Sequence, residues 1–419
     1  MRLLKENKKI ISIILLIFVI YFRCDFGVVK SYAIIMNCAV DVIALAYCII
    51  LAMGDFQLTK KSIFNVAILW LVLFKGIEFV YGHFGLFMKS EMYSRQYVIL
   101  TVLPALLTYE LLWHNRDDVL DILSVVGSVV IIATFITNVK YDHLWRDVLE
   151  GEFYRLGEVP GGTVIDTGNL YMLMLIPLLY TLIVKKQHIK LFIAPALVGM
   201  VGILLTGSRS SAMPLVIVIA IMALAASKTK QALRRNVIIL VVLFVIGIIL
   251  VMTVPILYEV LGSRFVEIFQ NFGAKEYDLK TSTGQRLAVM DAFKEHFWEA
   301  PIFGHGFYAF KSMPYSQLEM YHENGETLFR NIQTHMNFLE LLFSFGIFGF
   351  VAYYWYPVKL CFDSIKATDK TNKILAISFL ITIFFMDTGL DMFFNYMTPY
   401  YVYLLVFILV GAKSSRKEN

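Results

Sequence analysis

Long apolar stretches alternate with short polar ones along almost the whole chain. A helix needs roughly 20 predominantly apolar residues to cross the hydrocarbon core of a bilayer, and stretches of about that length recur throughout. The pattern predicts twelve membrane-spanning helices, at residues 10–27, 31–53, 62–81, 96–113, 119–138, 168–184, 190–206, 211–227, 236–258, 336–357, 374–391 and 396–412. The seventh has the weakest pattern, because its apolar run is short and contains Pro195. The predicted fold class is an all-α polytopic membrane protein.

Composition supports that class. Apolar residues make up 58% of the chain and charged residues 16%, which is far from the balance of a soluble globular protein. The small net charge of +5 is accounted for by the connections between the predicted spans. We therefore expect no nucleic-acid partner.

The distribution of lysine and arginine predicts the orientation of the spans. Cytoplasmic loops carry an excess of both residues. With the amino terminus in the cytoplasm, every inner connection is basic: they hold Lys60, Lys61, Arg116, Lys185, Lys186, Lys190, Lys228, Lys230, Arg234, Arg235 and residues from Lys359 to Lys373. We therefore expect both termini in the cytoplasm.

Three regions follow from this topology. Residues 1–258 hold the first nine spans, residues 259–335 form one large extracytoplasmic loop, and residues 336–419 hold the last three spans and a cytoplasmic tail. Within the loop, Leu287, Met290, Phe293 and Phe297 recur at helical spacing. This spacing predicts an amphipathic helix that lies on the membrane surface and ends before Pro301.

Three polar side chains at the outer surface are candidates for chemistry. Arg209 lies in Thr-Gly-Ser-Arg-Ser-Ser at 206–211, where a helix start offers backbone amides and the positive end of a helix dipole to an anion. Arg286 begins the predicted interfacial helix. Both arginines suit a phosphate bidentately, although each could simply contact lipid headgroups.

His335 closes the large loop and precedes the tenth span. An imidazole at that position titrates near neutrality and can accept a proton from a hydroxyl. Two nearby arginines would lower the pKa of this imidazole and keep it in the neutral form that a general base requires. The alternative interpretation is a histidine that only caps the helix or completes a hydrogen bond.

Four motifs in this order resemble the O-antigen ligase and O-antigen polymerase family. They are residues 206–211, Gly-Gln-Arg at 284–286, Pro-Ile-Phe-Gly-His-Gly-Phe at 301–307, and the segment from Thr334 to Gly349. The resemblance covers about residues 200–357. It differs at His305, where the family often has an apolar residue, and we assign that histidine no role.

The resemblance implies a metal-independent glycosyltransferase of the membrane C-type class. Such an enzyme moves a glycan from a polyprenyl diphosphate carrier to an acceptor at the outer face of a bacterial cytoplasmic (inner) membrane, which is the location that the resemblance implies. The family's arginines and histidine match Arg209, Arg286 and His335, which we expect to be catalytic. The expected substrate-binding residues are Ser208, Arg209, Ser210, Arg264, Arg286 and Asn337.

The residues themselves point to the same chemistry. A leaving diphosphate requires metal ions or fixed cations to neutralise its charge. The outer loops contain no Asp-X-Asp pair, although Glu150 and Glu152 come near one. We therefore expect no metal and no cofactor, with inversion at the anomeric carbon. Glu340, one turn inside the tenth span, could orient a neighbouring group or make a hydrogen bond to another span.

The acceptor is not determined by these motifs. A repeat-unit polymerase is preferred, because residues 309–333 contain many Tyr, Glu and Asn side chains that suit a sugar chain; a ligase that uses a lipid or cell-wall acceptor is the alternative. The expected partners are a lipid-linked glycan donor, a glycan or lipid acceptor, membrane lipid, a flippase and a chain-length regulator.

A transporter or lipid flippase is the rival from another class of function. It would explain the ionisable residues in or near the spans, namely Asp41, Lys75 with Glu78, and Asp387 with Asp391. Lys75 and Glu78 could instead pair with each other, and no inverted repeat is apparent. A scaffolding protein would explain still fewer of the motifs.

Overall fold

The protein, seen here as a computed structural model, is described at residues 7–24, 30–87, 95–141, 155–157, 163–271, 277, 279, 281–321, 327–395 and 398–411. A helix coincides with each predicted apolar stretch. The helices are α1 Lys8–Cys24, α2 Lys30–Gly54, α3 Phe56–Ile63, α4 Val66–His83, α5 Arg95–Trp113, α6 Val119–Tyr141, α7 Val164–Leu179, α8 Ile189–Thr206, α9 Arg209–Ala225, α10 Lys230–Thr253, α11 Ser263–Asn271, α12 Ser282–His296, α13 Asn337–Lys366, α14 Lys370–Asp387 and α15 Thr398–Gly411.

Within the described residues, seven helical segments are long and apolar enough to cross a membrane. They are Ile35–Gly54, Val66–His83, Val119–Lys140, Val164–Lys185, Ile189–Thr206, Lys230–Thr253 and Asn337–Lys366. Shorter apolar helices cover Leu100–Trp113, Arg209–Ala225 and Thr398–Gly411. The stretch interrupted by Pro195 is therefore a helix of sufficient length. The protein is a polytopic membrane protein, as predicted.

Helix α7 lies at the centre of the bundle. It packs against α6, α8, α9 and α14, and nearly all of its side chains are buried. Thr163 begins the helix by accepting a hydrogen bond from the amide of Asp166, which satisfies one of the free donors at a helix start. A π-helical turn, Tyr180–Lys185, extends its other end.

Between α10 and α13, the described residues form α11, α12, several short helical turns and a β-hairpin. Helix α12 confirms the helix predicted before Pro301, and a short 3₁₀ turn, Phe297–Glu299, separates the two. Strands β1, Gln317–Tyr321, and β2, Thr327–Asn331, pair antiparallel with Gln317 opposite Asn331. The all-α prediction missed this hairpin. The apolar face of α12 also differs from the prediction, since Val289 and Phe293 pack against protein in a small second core.

Helix α13 turns back on itself at Gly346. The Asn337 amide donates a hydrogen bond to the Tyr354 hydroxyl at 2.9 Å, and the rings of Phe338 and Tyr354 stack with centroids 5.2 Å apart. In a straight helix these positions would be separated by about 25 Å. Gly346 makes the reversal with φ 64° and ψ −167°, a conformation that only glycine adopts readily.

The reversal changes the location of the tenth span. Residues 337–345 form a short helix that runs up to the bend, and residues 347–366 form the segment that runs the other way for about 30 Å. Tyr354 lies about 12 Å along that second segment from Gly346. Asn337 bonds Tyr354 and therefore also lies about 12 Å from the bend along this segment. His335, two residues before Asn337, is recessed from the bend in the same way. The predicted span 336–357 was wrong in treating this stretch as one straight helix.

Candidate active site

Arg286 and His335 line the same pocket. It has a volume of about 110 Å³ and is lined by Ile165, Gln285, Arg286, Val289, Ile332, Gln333, Thr334 and His335. Arg286 reaches it from the first half of α12, and His335 from the extended chain just before α13. Two residues nearly fifty positions apart in the sequence are thus brought together, as their predicted roles require.

Arg209 approaches this site from the start of α9. Its Nη1 atom donates to the Thr283 hydroxyl at 3.2 Å, and Thr283 lies three residues before Arg286 on α12. The Nη2 atom of Arg286 donates to the Gly389 carbonyl at 3.2 Å. Gly389 is packed so closely on the Arg209 loop that a β carbon there would lie 2.9 Å from Ser210 Cβ. The two arginine motifs therefore meet at one place.

His335 has a strained backbone and a neighbour that suits either tautomer. Its φ of 53° lies in the left-handed region, which is uncommon for a residue with a side chain. The Nδ1 atom is 3.2 Å from the Gln333 side-chain nitrogen. Because an amide nitrogen only donates, Nδ1 accepts in this arrangement; a 180° rotation of the Gln333 amide would present its oxygen instead, with the hydrogen on Nδ1 and Nε2 as the acceptor.

A buried acidic pair lies beside His335. The Thr334 hydroxyl is 3.0 Å from a Glu340 carboxyl oxygen and 3.1 Å from a carboxyl oxygen of Asp391. Asp391 also accepts a hydrogen bond from Tyr308 at 2.6 Å, and Glu340 accepts one from Ser344 at 2.8 Å. Thr334 is thereby held between the two acids, and this fixes the backbone that enters His335.

Asp391 was named from the sequence only as support for a transporter, and its position beside Thr334 and Arg286 was not predicted. Burial raises the pKa of its carboxyl, and the Tyr308 and Thr334 hydroxyls and the Arg286 charge oppose that shift. A second residue of this kind is Arg155, which donates to the Thr206 carbonyl at 2.7 Å and so supports the Arg209 loop. No sequence spacing connects either residue to the motifs, because both arrive from separate loops.

The other residues predicted to bind substrate are either buried or have side chains outside the described part of the chain. Ser208 and Ser210 are buried with their hydroxyls 3.0 Å apart, and Ser210 also donates to Asn169 at 3.4 Å. Asn337 is fully buried, and besides donating to Tyr354 it accepts from the Phe393 amide at 2.7 Å. These bonds account for Asn337 without a substrate contact. The Arg264 side chain, and Glu150 with Glu152, lie outside the described residues.

Lys75 and Glu78, both on α4, form an ion pair with each other. Lys75 Nζ lies 2.5 Å from Glu78 Oε2 in the buried interior. Tyr400 donates to the Phe393 carbonyl at 2.6 Å and lies 3.2 Å from Glu78. Asp387, one of the three other acids cited for a transporter, accepts a hydrogen bond from Tyr354 at 2.6 Å. The pairing of Lys75 with Glu78 is the one that the sequence offered as an alternative to transport.

These features define a helical membrane protein in which two arginine motifs and a histidine meet at one recessed site. Residues 170–354 match the model of a family described as O-antigen ligase. All four sequence motifs fall inside that range, and the resemblance to the O-antigen ligase and polymerase family is confirmed. The match indicates a membrane enzyme that acts on glycans. No match was found among curated proteins.

Proposed function

We propose that the protein is a glycosyltransferase that takes a glycan from a polyprenyl diphosphate carrier at the outer face of the membrane. The observation that carries this proposal is the pocket that Arg286 and His335 share. Arg209 is joined to the same place by its hydrogen bond to Thr283, on the helix that carries Arg286. Two permanent cations next to an imidazole match the needs of a reaction with a diphosphate leaving group and a hydroxyl nucleophile.

In the proposed reaction His335 takes the proton of an acceptor hydroxyl. The acceptor oxygen attacks the anomeric carbon, and the bond from that carbon to the diphosphate oxygen breaks with its electron pair remaining on the diphosphate. Arg209 and Arg286 stabilise the charge that develops there, so that a divalent metal is not needed. A single displacement of this kind inverts the anomeric configuration.

Within this class we propose a repeat-unit polymerase, for which the acceptor is a second lipid-linked glycan. The support is the Tyr-, Glu- and Asn-containing segment 309–333, which continues directly into the site. A flippase would supply the donor and a chain-length regulator would limit the product. Transfer of the glycan only to an added lipid or cell-wall acceptor, with no lengthening of the donor, would favour a ligase instead.

Purified protein in lipid nanodiscs is expected to join lipid-linked oligosaccharides with no added metal. The measurement is the mass of the glycan product over time, with and without a chelator. The same rate is expected in both samples, because the charge on the diphosphate is neutralised by arginines.

Two outcomes would overturn this proposal in different ways. Inhibition by chelator that a divalent metal reverses would remove the metal-free mechanism. Movement of the intact donor across a liposome bilayer, with no new glycosidic bond, would replace the transferase with a flippase.

We also propose twelve spans with both termini in the cytoplasm, supported by the basic inner connections. In a cysteine-free background, Lys294→Cys on α12 is expected to react with an impermeant thiol reagent in intact cells. Lys228→Cys, between α9 and α10, is expected to react only after the cells are opened. Both lysines are exposed, so accessibility within the protein does not bias the comparison. Labelling of Lys228→Cys in intact cells would contradict this topology.

A further inference from the structure

The turn from Pro301 to Gly306 is joined to the bend of α13 through backbone hydrogen bonds. The amides of His305 and Gly306 donate to the carbonyls of Phe343 and Ser344 at 2.9 and 3.0 Å. In the other direction, the amides of Ile347 and Phe348 donate to the carbonyls of Pro301 and Ile302 at 2.9 and 3.0 Å. These four bonds satisfy groups that the interruption of the helix leaves without helical partners.

Two glycines allow this close approach. A β carbon at Gly304 would lie 2.5 Å from the Gly346 nitrogen, and one at Gly346 would lie 2.3 Å from the Ile302 carbonyl oxygen. No side chain fits at either position without displacing backbone. The hydroxyl of Tyr81 on α4 adds a bond to the Phe303 carbonyl at 2.9 Å. The turn is therefore held beside Ile347 and Phe348, the first residues of the segment 347–366.

This fixed turn exposes an apolar surface that is continuous with the spanning segment. The exposed fractions are 60% for Ile302, 51% for Phe303, 48% for Ile347 and 47% for Phe348. The rings of Phe303 and Phe348 lie 5.8 Å apart. Ile347 and Phe348 begin the segment 347–366, and about 18 Å of it precedes Lys359, the first residue of the basic inner connection. Because a bilayer core is about 30 Å thick, Ile347 and Phe348 lie in the half of that core farther from Lys359.

We infer that Ile302 and Phe303 are inserted into the outer leaflet of the membrane, so that part of the large loop is in contact with lipid acyl chains. These two residues and Ile347 and Phe348 are named the lipid-contact patch. Backbone outside regular helix is tolerated at this depth because the α13 bend pairs its hydrogen-bonding groups. The partner of this surface is the bilayer itself.

Spin labels at single cysteines test the inference directly. Cys24, Cys38, Cys48 and Cys361 are first replaced by serine, and labels are attached to Ile302→Cys, to Leu243→Cys in the middle of α10 as a lipid-facing control and to Lys294→Cys as a water-facing control. Accessibility to oxygen, which partitions into lipid, is compared with accessibility to a water-soluble nickel chelate, with the protein in nanodiscs. The label at residue 302 is expected to resemble that at residue 243.

A label that is as accessible to the nickel chelate as the one at Lys294 would overturn the inference, because the patch would then lie in water. A label shielded from both reagents would also overturn it, because protein, such as a second copy of this chain, would cover the patch.

A conservative variant covers the case in which a label disturbs the turn. Phe303→Trp keeps an aromatic ring at the patch, and Lys294→Trp places the same ring on the aqueous surface of α12. In nanodiscs with brominated lipids, the additional tryptophan emission of Phe303→Trp is expected to be quenched at least twofold more than that of Lys294→Trp. Equal quenching of the two variants would contradict insertion.

Discussion

Replacement of His335 by alanine is expected to lower the rate of glycan transfer by about 100- to 10,000-fold, which is the typical contribution of a positioned general base. The acceptor hydroxyl would then have no group to take its proton, while Arg209 and Arg286 would still hold the diphosphate. The measurement is the initial rate with a lipid-linked donor, together with the affinity for that donor. We expect a large loss of rate with little change in affinity.

His188 provides a matched control for this variant. It also has a left-handed backbone, with φ of 50°, and it begins α8 at the opposite end of the bundle from Gly207 and the Arg209 loop. The strain relieved or introduced by alanine should therefore be similar at both positions. His188→Ala is expected to keep the full rate. A His335→Ala protein that also kept the full rate would show that this imidazole is not the base.

The second large effect is expected from Arg209→Lys and Arg286→Lys. Lysine keeps the positive charge but cannot present the planar fork that binds two phosphate oxygens at once. The loss of one hydrogen bond to a charged group is worth about 1.5–3 kcal/mol, or roughly 10- to 150-fold in rate. Each variant is expected to lose transfer activity by at least the lower figure, measured at equal amounts of folded protein.

Arg116→Lys is the matched control for the arginine variants. Arg116 is a half-buried arginine just after the end of α5, and its guanidinium lies 5.8 Å from the centre of the Trp113 ring. The same chemical change away from the site is expected to leave the rate unchanged. Full activity in both Arg209→Lys and Arg286→Lys would make these two side chains headgroup contacts instead of catalytic residues.

Apolar periodicity was sufficient to locate the helices, because every crossing needs a long apolar run whatever its neighbours are. The reversal at Gly346 was not predictable in this way. Residues from Asn337 to Lys366 are continuously apolar enough for one helix, and glycine is common in membrane helices. Only the turn at Pro301–Gly306, which pairs with the freed backbone groups, makes the interruption stable.

The candidate site was predictable where its residues belong to recognisable motifs. Arg209, Arg286 and His335 were identified from the sequence, and Arg286 and His335 line one pocket. Asp391 was noticed only as an acid near a span, because nothing in its neighbourhood indicates that the loop after α14 reaches Thr334. Asn337 shows a second limit of motifs. It lies within a motif and was predicted to bind substrate, but its hydrogen bonds are made with residues in the interior of the bundle.

The ion pair of α4 has a consequence for biosynthesis. Lys75 and Glu78 are three residues apart on one helix, so they can pair before α4 meets any other helix. An unpaired charge near the centre of a bilayer costs about 2.5–3.5 kcal/mol during insertion, and self-pairing offsets much of that cost. Loss of either partner would leave a lone charge to be inserted as the chain is made. The amount of a Lys75 or Glu78 variant in the membrane therefore reports on the assembly of the newly made protein and not on glycan transfer.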